Sequence, residues 1–382
     1  MFQLCGNILE DSWEKTIMKF SKLSVILQWI GMPLAIAPLI LILSACNDQP
    51  QNNTQNPVNT SPGQVTRVLW NRIKSRGQLI CGVSGELPGF SFVGTDGKYS
   101  GIDVDICRAV AAAVFDNPNA VEYRNLSAKE RFTALQSGEV DILSRNTSWT
   151  FSRATSQGLD FAPVVFYDGQ AVMVRKNSNI KSIKDLKDKA ICVQTGTTTE
   201  QNLADQMRKR GITYKPVVFE DVNITFATYA EGRCDAVTTD RSGLISRRTT
   251  LPKPDDNIIL DDVLSSEPLA PAVAKGDSQW SDIVKWTVYA LVKAEELGIN
   301  SQNLAEFANS KDPDIKRFLG TEANLGEGIG LTKDFAAKII KHVGNYGEIY
   351  DRNLGTKTKI NLPRGQNQLG IKGGLLYSPP FR

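Results

Sequence analysis

Three short segments carry the side chains suited to holding a small charged molecule. The first runs from Asp141 to Arg153 and contains Arg145, Asn146, Ser148 and Arg153. A guanidinium offers a carboxylate two parallel hydrogen bonds from a planar fork, and Ser and Asn add neutral donors. A lone Arg is also compatible with a surface ion pair; its place after a strand-like run favours Arg153 as a binding group. The second segment, Ile191 to Glu200, passes from an apolar run into Thr195, Gly196, Thr197 and Thr198. It reads as strand, turn and helix start, where free amides favour an anion. Simple capping of the helix by Thr accounts for the same residues. The spacing Gly-x-x-x-x-Gly-Lys of a phosphate loop is absent. The third segment, Cys234 to Asp240, ends in a carboxylate that can hold an ammonium group. A cation on one segment and an anion on another suit a zwitterion enclosed between them.

The elements that must position these segments repeat. Phe132, Gly138 and Asp141 recur with the same spacings as Phe226, Gly232 and Asp235. Each copy reads as helix, Gly terminator and strand leading to polar residues, although helix–Gly–strand is a common sequence of elements. Two α/β lobes of similar build follow, with a cleft outside the carboxyl ends of the strands. Ser127 to Glu130 is a capping box that opens the first of these helices. Asp103 to Phe115 reads as a buried helix, and Trp280 to Leu297 as an amphipathic one. Asp96-Gly97 suits a hairpin turn. The extended apolar stretch Phe161 to Val174 crosses between lobes, and Ser266 to Val273 crosses back. The expected division is 66–168 plus 269–382 for lobe one and 169–268 for lobe two. The tail after Gly344 is read as irregular, with no assigned role.

The ends and the composition narrow the setting. The chain has 382 residues, which suits two domains of roughly 100–200 residues each. A net charge of +3 and the lack of a dense basic block argue against a nucleic-acid partner. Lys181 to Lys189 is interrupted by Asp185 and Asp188 and reads as a solvated helix face. Lys15, Lys19 and Lys22 precede an uncharged run from Leu23 to Ala45, and the run ends in Leu43-Ser44-Ala45-Cys46. This reads as an export signal over residues 1–45, starting at Met1 or Met18. A transmembrane anchor is the alternative for so long an apolar run; Pro33, Pro38 and the small residues before Cys46 favour the signal. The ending resembles a lipobox, which implies acylation of Cys46 and attachment to a membrane. Residues 46–65, rich in Asn, Gln, Pro, Ser and Thr, read as a polar tether. Cys81, Cys107, Cys192 and Cys234 remain, an even number in an exported chain, which favours disulfides. Of three possible pairings, Cys81–Cys107 and Cys192–Cys234 join near neighbours and are the expected ones. No metal site is expected, since there is no C-x-x-C pair and His342 stands alone.

The segments Ser127–Arg153, Cys192–Glu200 and Gly232–Asp240 resemble the polar amino-acid-binding proteins of ABC transporters. The resemblance narrows to the general L-amino-acid-binding subfamily through Ala128–Asp141, Ser144–Thr147, Val193–Glu200, Asp314–Gly320 and Val343–Glu348. It implies a two-lobed type II periplasmic binding fold, each lobe a mixed, mostly parallel sheet flanked by helices, joined by two hinge crossings. It further implies a monomer that binds free L-amino acids, broadly, and delivers them to permease subunits without a cofactor. By the same resemblance Arg153 clamps the ligand α-carboxylate with help from Ser148 and Thr198, and Asp240 holds the α-ammonium. Arg145 and Asn146 stand where narrow-specificity relatives often carry small Ser residues. Thr197, Leu87 and Phe90 complete the expected site, with a core role for Phe90 left open and Trp149 a lesser candidate. The alternative function is a dehydratase-like enzyme on the same scaffold, acting on a small carboxylic acid.

Overall fold

The structure is a computed structural model that describes residues 68–382. The export segment, the tether and Cys46 lie outside the described residues. The chain runs through helix α1 (Val68–Arg76), strands β1 (Leu79–Val83), β2 (Glu86–Leu87), β3 (Ser91–Val93) and β4 (Tyr99–Ser100), then α2 (Ile102–Phe115). β5 (Val121–Asn125), α3 (Arg131–Gln136), β6 (Ile142–Leu143), α4 (Phe151–Thr155) and β7 (Leu159–Phe161) follow. The middle of the chain supplies β8 (Phe166–Arg175), β9 (Ala190–Gln194), α5 (Thr198–Arg210), β10 (Lys215–Phe219) and α6 (Val222–Ala230). After these come β11 (Ala236–Asp240), α7 (Arg241–Arg248), β12 (Asn257–Ile259) and β13 (Ser265–Leu269). β14 (Ala272–Ala274), α8 (Ser278–Glu296), α9 (Pro313–Phe318), α10 (Phe335–Val343) and α11 (Tyr346–Asn353) close the chain.

Two main sheets result, in the orders β5-β1-β6-β14-β7 and β10-β9-β11-β8-β12, with β13 added on β8, and β2-β3-β4 form a small third sheet. β1 runs parallel to β5 and β6, as β9 does to β10 and β11. Successive residues of a strand point to opposite faces, and both sheets are covered on both sides. On β8, Val172 and Val174 enter one apolar cluster while Ala171 and Met173 enter another. On β6, Ile142 and Leu143 divide in the same way. β8 and β13 pair antiparallel from Gln170–Ser265 to Phe166–Leu269 and form the two crossings between sheets. Beyond Leu269 the chain rejoins the first sheet through β14, which pairs β6 and β7.

The internal repeat has a physical basis. Gly138 and Gly232 take positive φ, 74° and 82°, a region that costs a residue with a Cβ, and each ends its helix. The following aspartates do the same work. Asp141 accepts the amide of Ile80 at 2.8 Å and Asp235 that of Ala190 at 2.9 Å. Each carboxylate thereby ties a helix–strand turn to the neighbouring parallel strand.

The capping box holds, with Ser127 accepting the Glu130 amide at 3.2 Å and Glu130 accepting that of Ser127 at 2.8 Å. Regular helix nevertheless begins only at Arg131. The Lys181–Lys189 stretch is solvated as expected but is no α-helix: a single 3-10 turn, Ile183–Leu186, is capped by Ser182 and Asp185. The tail is also more ordered than the sequence suggested. Asn345 and Glu348 form a further capping box and open α11. Beyond it, Arg364 grips Glu295, and Asn367 accepts the Tyr167 amide at 2.7 Å and donates to its carbonyl at 3.1 Å. A tail side chain thus stands in for a strand neighbour beside the first hinge crossing.

Cys81 is bonded to Cys107 and Cys192 to Cys234, as expected. The second bond spans 42 residues. Replacing both Cys192 and Cys234 by Ser should lower the unfolding free energy by about 2–4 kcal/mol. A reduced denaturant midpoint in equilibrium unfolding of the purified protein would register it; an unchanged midpoint would mean the bond stabilises nothing.

Candidate functional site

The loop after β6 brings Arg145, Asn146, Thr147 and Ser148 to the point where the hinge strand β13 returns. Ser148 forms a bridge with Leu269, the Trp149 amide donates to the Pro268 carbonyl at 2.8 Å, and the Ala270 amide to that of Thr147 at 3.0 Å. Arg153 lies in the first turn of α4, and its own amide donates to the capping Thr150 side chain at 3.3 Å. Its guanidinium donates to the Ser148 carbonyl at 2.8 Å and lies over Phe132, 5.0 Å from the ring centre. Arg131 approaches the same ring at 4.7 Å and reaches the Thr147 hydroxyl at 3.3 Å.

The facing lobe supplies the rest. Thr197 caps α5, accepting the Glu200 amide at 3.0 Å and donating to the Gln194 carbonyl at 2.7 Å. Thr198 is the first residue of that helix. Asp240 ends β11 and precedes α7 without capping it through its side chain. The lobes touch across the cleft: Arg247 donates to the Glu86 carbonyl at 2.9 Å, Ser246 to that of Pro88 at 2.6 Å, and Asn223 to the Glu86 carboxylate at 2.9 Å.

Two acidic residues that sequence reasoning left out of the site sit opposite each other on the hinge strands, Asp168 on β8 and Glu267 on β13. Asp168 accepts hydrogen bonds from the Ser242 hydroxyl and amide at the start of α7. Glu267 is 2% exposed. One of its oxygens accepts from the Ser148 hydroxyl and from the Thr198 hydroxyl at 2.9 Å. The other accepts from Asn202 at 2.7 Å and from Ser265 at 2.6 Å. A charged residue inside the apolar stretch Ser266–Val273 was the available signal for Glu267. Arg131 was legible only as part of a motif.

Two buried carboxylates, Asp240 and Glu267, and the half-buried Asp168 therefore lie within electrostatic reach of one another or of two buried guanidiniums, Arg131 and Arg153. Burial holds Asp240 well above the usual carboxylate range; Asp168 and Glu267 add to this, and Arg131 and Arg153 oppose it. Asp168 is pushed up to about 6 by burial, against its bonds to Ser242. Burial pulls Arg153 down to about 10, while Glu267 and Asp240 hold it up. Buried charge is costly unless paired, and a cation placed beside Asp240 would relieve the repulsion that Asp168 and Glu267 exert on it. A molecule carrying both an ammonium and a carboxylate would offer Asp240 a cation and Arg153 an anion.

The expected site residues fall into three groups. Arg153, Asp240, Ser148 and Thr198 gather around Glu267. Arg145, Asn146 and Leu87 line a neighbouring space between the lobes. Its larger part, about 260 Å³, is bounded by Glu86, Asn125, Arg145 and Gln194, and Arg145 continues into a smaller part beside Asn146 and Leu87. Arg145 donates to the Leu126 carbonyl at 2.7 Å. Asn146 takes a positive φ of 32° and donates its amide to Asp103 at 3.0 Å. Thr197 acts within α5 as a cap. Phe90 takes the core role left open for it: it is 1% exposed and packs edge-on against Phe166 at 5.2 Å. Its neighbour Ser91, also buried, accepts the Ser84 amide. Trp149 stacks on Phe161 beside the site.

Residues 79–302 match the family described as bacterial extracellular solute-binding proteins, family 3. The general L-amino acid-binding periplasmic protein AapJ of Rhizobium johnstonii is 54% identical over 312 residues, covering 81% of this chain and 92% of the relative. The glutamate/glutamine/aspartate/asparagine-binding protein BztA of Rhodobacter capsulatus is 51% identical over 311 residues, with 81% and 92% covered. A solved ABC transporter periplasmic binding protein from Brucella ovis with glutathione bound superposes with a TM-score of 0.80 at 50% identity, covering 82% of this chain and 98% of that one.

Proposed function

This chain belongs to the bacterial extracellular solute-binding proteins of family 3, and on that premise we propose that it captures free L-amino acids for an ABC importer. Its two α/β lobes joined by paired crossings are the two-lobed periplasmic binding fold. The family is one of binding proteins, so the dehydratase-like alternative falls away. Arg153 takes the ligand α-carboxylate and Asp240 the α-ammonium, with Ser148 and Thr198 between them. The observation that carries this reading is the grouping of Asp168, Asp240 and Glu267 with Arg131 and Arg153, which offers an ammonium an anion and a carboxylate a cation.

The relatives are described as binding different molecules: L-amino acids in general, four acidic and amide amino acids, and glutathione. All of these present a free α-amino carboxylate head. The space beside Arg145 offers a side chain a guanidinium, the Glu86 carboxylate, and the amides of Asn125 and Gln194. Groups of both signs support broad uptake. Ligand bound to both lobes stabilises the closed state by its differential contacts, and the closed form docks on the permease as a monomer. The family is extracellular; we place the chain on a membrane by acylation of Cys46, with residues 46–65 as the tether. Among the described residues no helix is long and apolar enough to cross a membrane.

Calorimetric titration of the ligand-free mature domain with a panel of L-amino acids tests the function, with D-isomers as controls. Several L-amino acids should bind tightly and their D-isomers weakly. Failure of every L-amino acid to bind would overturn the reading.

A further inference from the structure

We infer that Glu267 is a positioning residue that directs the Ser148 and Thr198 hydroxyls so that they accept hydrogen bonds from the ligand's ammonium and do not donate to its carboxylate. The inference rests on the proposed amino-acid ligand and concerns how its two charged groups are told apart. A hydroxyl has one proton to donate and lone pairs with which to accept. Both hydroxyls donate to the same oxygen of Glu267. They stand 3.4 Å apart, so that oxygen and the two hydroxyls form a compact cluster. With their protons committed, Ser148 and Thr198 turn lone pairs toward the cleft. Lone pairs attract an ammonium and repel a carboxylate.

Glu267 is held to this task. Asn202 and Ser265 donate to its second oxygen, so the carboxylate cannot rotate freely. β13 itself is fixed on β8 and bridged to the loop carrying Ser148. Ser148 comes from the lobe-one loop, Thr198 and Asn202 from the lobe-two helix α5, and Glu267 from the crossing between them. The acceptor cluster is complete only when the lobes meet. Asp240 then has partners for the hydrogens of the ammonium that it does not itself receive. Arg153 and Arg131, both within electrostatic reach of Glu267, remain for the carboxylate.

The test compares an L-amino acid that the wild-type protein binds with the 2-hydroxy acid of the same side chain, which keeps the carboxylate and replaces the ammonium by a hydroxyl. Affinity of the hydroxy acid is read by competition at millimolar concentration, and a lower bound on its Kd suffices for the wild type. In Glu267→Met the acceptor is gone and both hydroxyl protons are released toward the cleft. The preference for the amino acid over the hydroxy acid should fall by about tenfold or more, the scale of a hydrogen bond to a charged group. Glu267→Gln keeps an oxygen for the hydroxyls once Asn202 turns its amide, and should retain a preference between those of wild type and Glu267→Met. A merely structural loss would weaken both ligands alike and leave the ratio unchanged; that result would overturn the inference. Should Glu267→Met fail to fold, Ser148→Ala answers the same question. It should lower the amino acid's advantage if Ser148 accepts from the ammonium, and penalise both ligands equally if Ser148 donates to the carboxylate. Failure of wild type to bind any amino acid would defeat the proposed function instead, which keeps the two failures distinct.

Discussion

Replacing Asp240 by Ala should weaken binding of L-amino acids by about thirtyfold or more. The ligand's ammonium would then be enclosed without its carboxylate, and truncating one partner of a buried charge pair costs about 2–5 kcal/mol. At 1.4 kcal/mol per tenfold the lower bound is roughly thirtyfold. Calorimetric titration of the variant beside wild type gives the ratio directly, and an unchanged Kd would remove Asp240 from the site. The same residue sets the sign of the pH dependence. In the ligand-free protein burial, with Asp168 and Glu267, holds Asp240 well above the usual carboxylate range. A bound ammonium favours the ionised form and draws that pKa down. A group whose pKa falls on binding gives up a proton, so binding releases protons and affinity rises with pH up to the ligand-free pKa. Asp168, pushed up to about 6 by burial, acts with the same sign. Titrations in buffers of different ionisation enthalpy should show net proton release, reduced in Asp240→Ala. Proton uptake would contradict the placement of the ammonium beside Asp240.

Arg153 carries the second large effect. In Arg153→Met a ligand carboxylate would enter the buried site without its fork, at a cost of about 2–5 kcal/mol, again roughly thirtyfold or more in Kd. Arg153→Lys separates charge from geometry. Lysine keeps the charge but presents a point, not two parallel donors, and it cannot reproduce the stack on Phe132 together with the bond to the Ser148 carbonyl. Its affinity should fall between wild type and Arg153→Met. Thermal unfolding without ligand controls for a general loss of structure. Equal Kd values for wild type and Arg153→Lys would show that the fork contributes nothing and that a diffuse positive charge suffices.

Local chemistry was legible in the chain. The spacing of Phe132, Gly138 and Asp141 against Phe226, Gly232 and Asp235 exposed two lobes of like construction, because a Gly that takes positive φ and an Asp that binds the next strand's amide are needed at those positions. Cys81–Cys107 and Cys192–Cys234 followed from proximity in sequence. Arg153 and Asp240, the proposed ligand groups, were picked out from the polar ends of apolar runs, since a strand that delivers a polar residue to its carboxyl edge leaves that mark. The side of Phe90 and the helix α11 were not resolved. The ring packs against Phe166, far along the chain, and the Asn345–Glu348 capping box sat in a segment read as irregular.

The sequence by itself determined the binding-protein family and the two-lobe plan, and it pointed to Arg153 and Asp240 as the proposed charged ends of the site, because each is written in residues close together in the chain. The tertiary structure alone decided that Glu267, 119 residues beyond Ser148, shares its carboxylate between the two lobes, and that Asn367 sits against Tyr167 on the hinge. The direction of a hydroxyl proton depends on which acceptor lies nearest in space, and no spacing along one segment encodes a neighbour brought in by a distant strand.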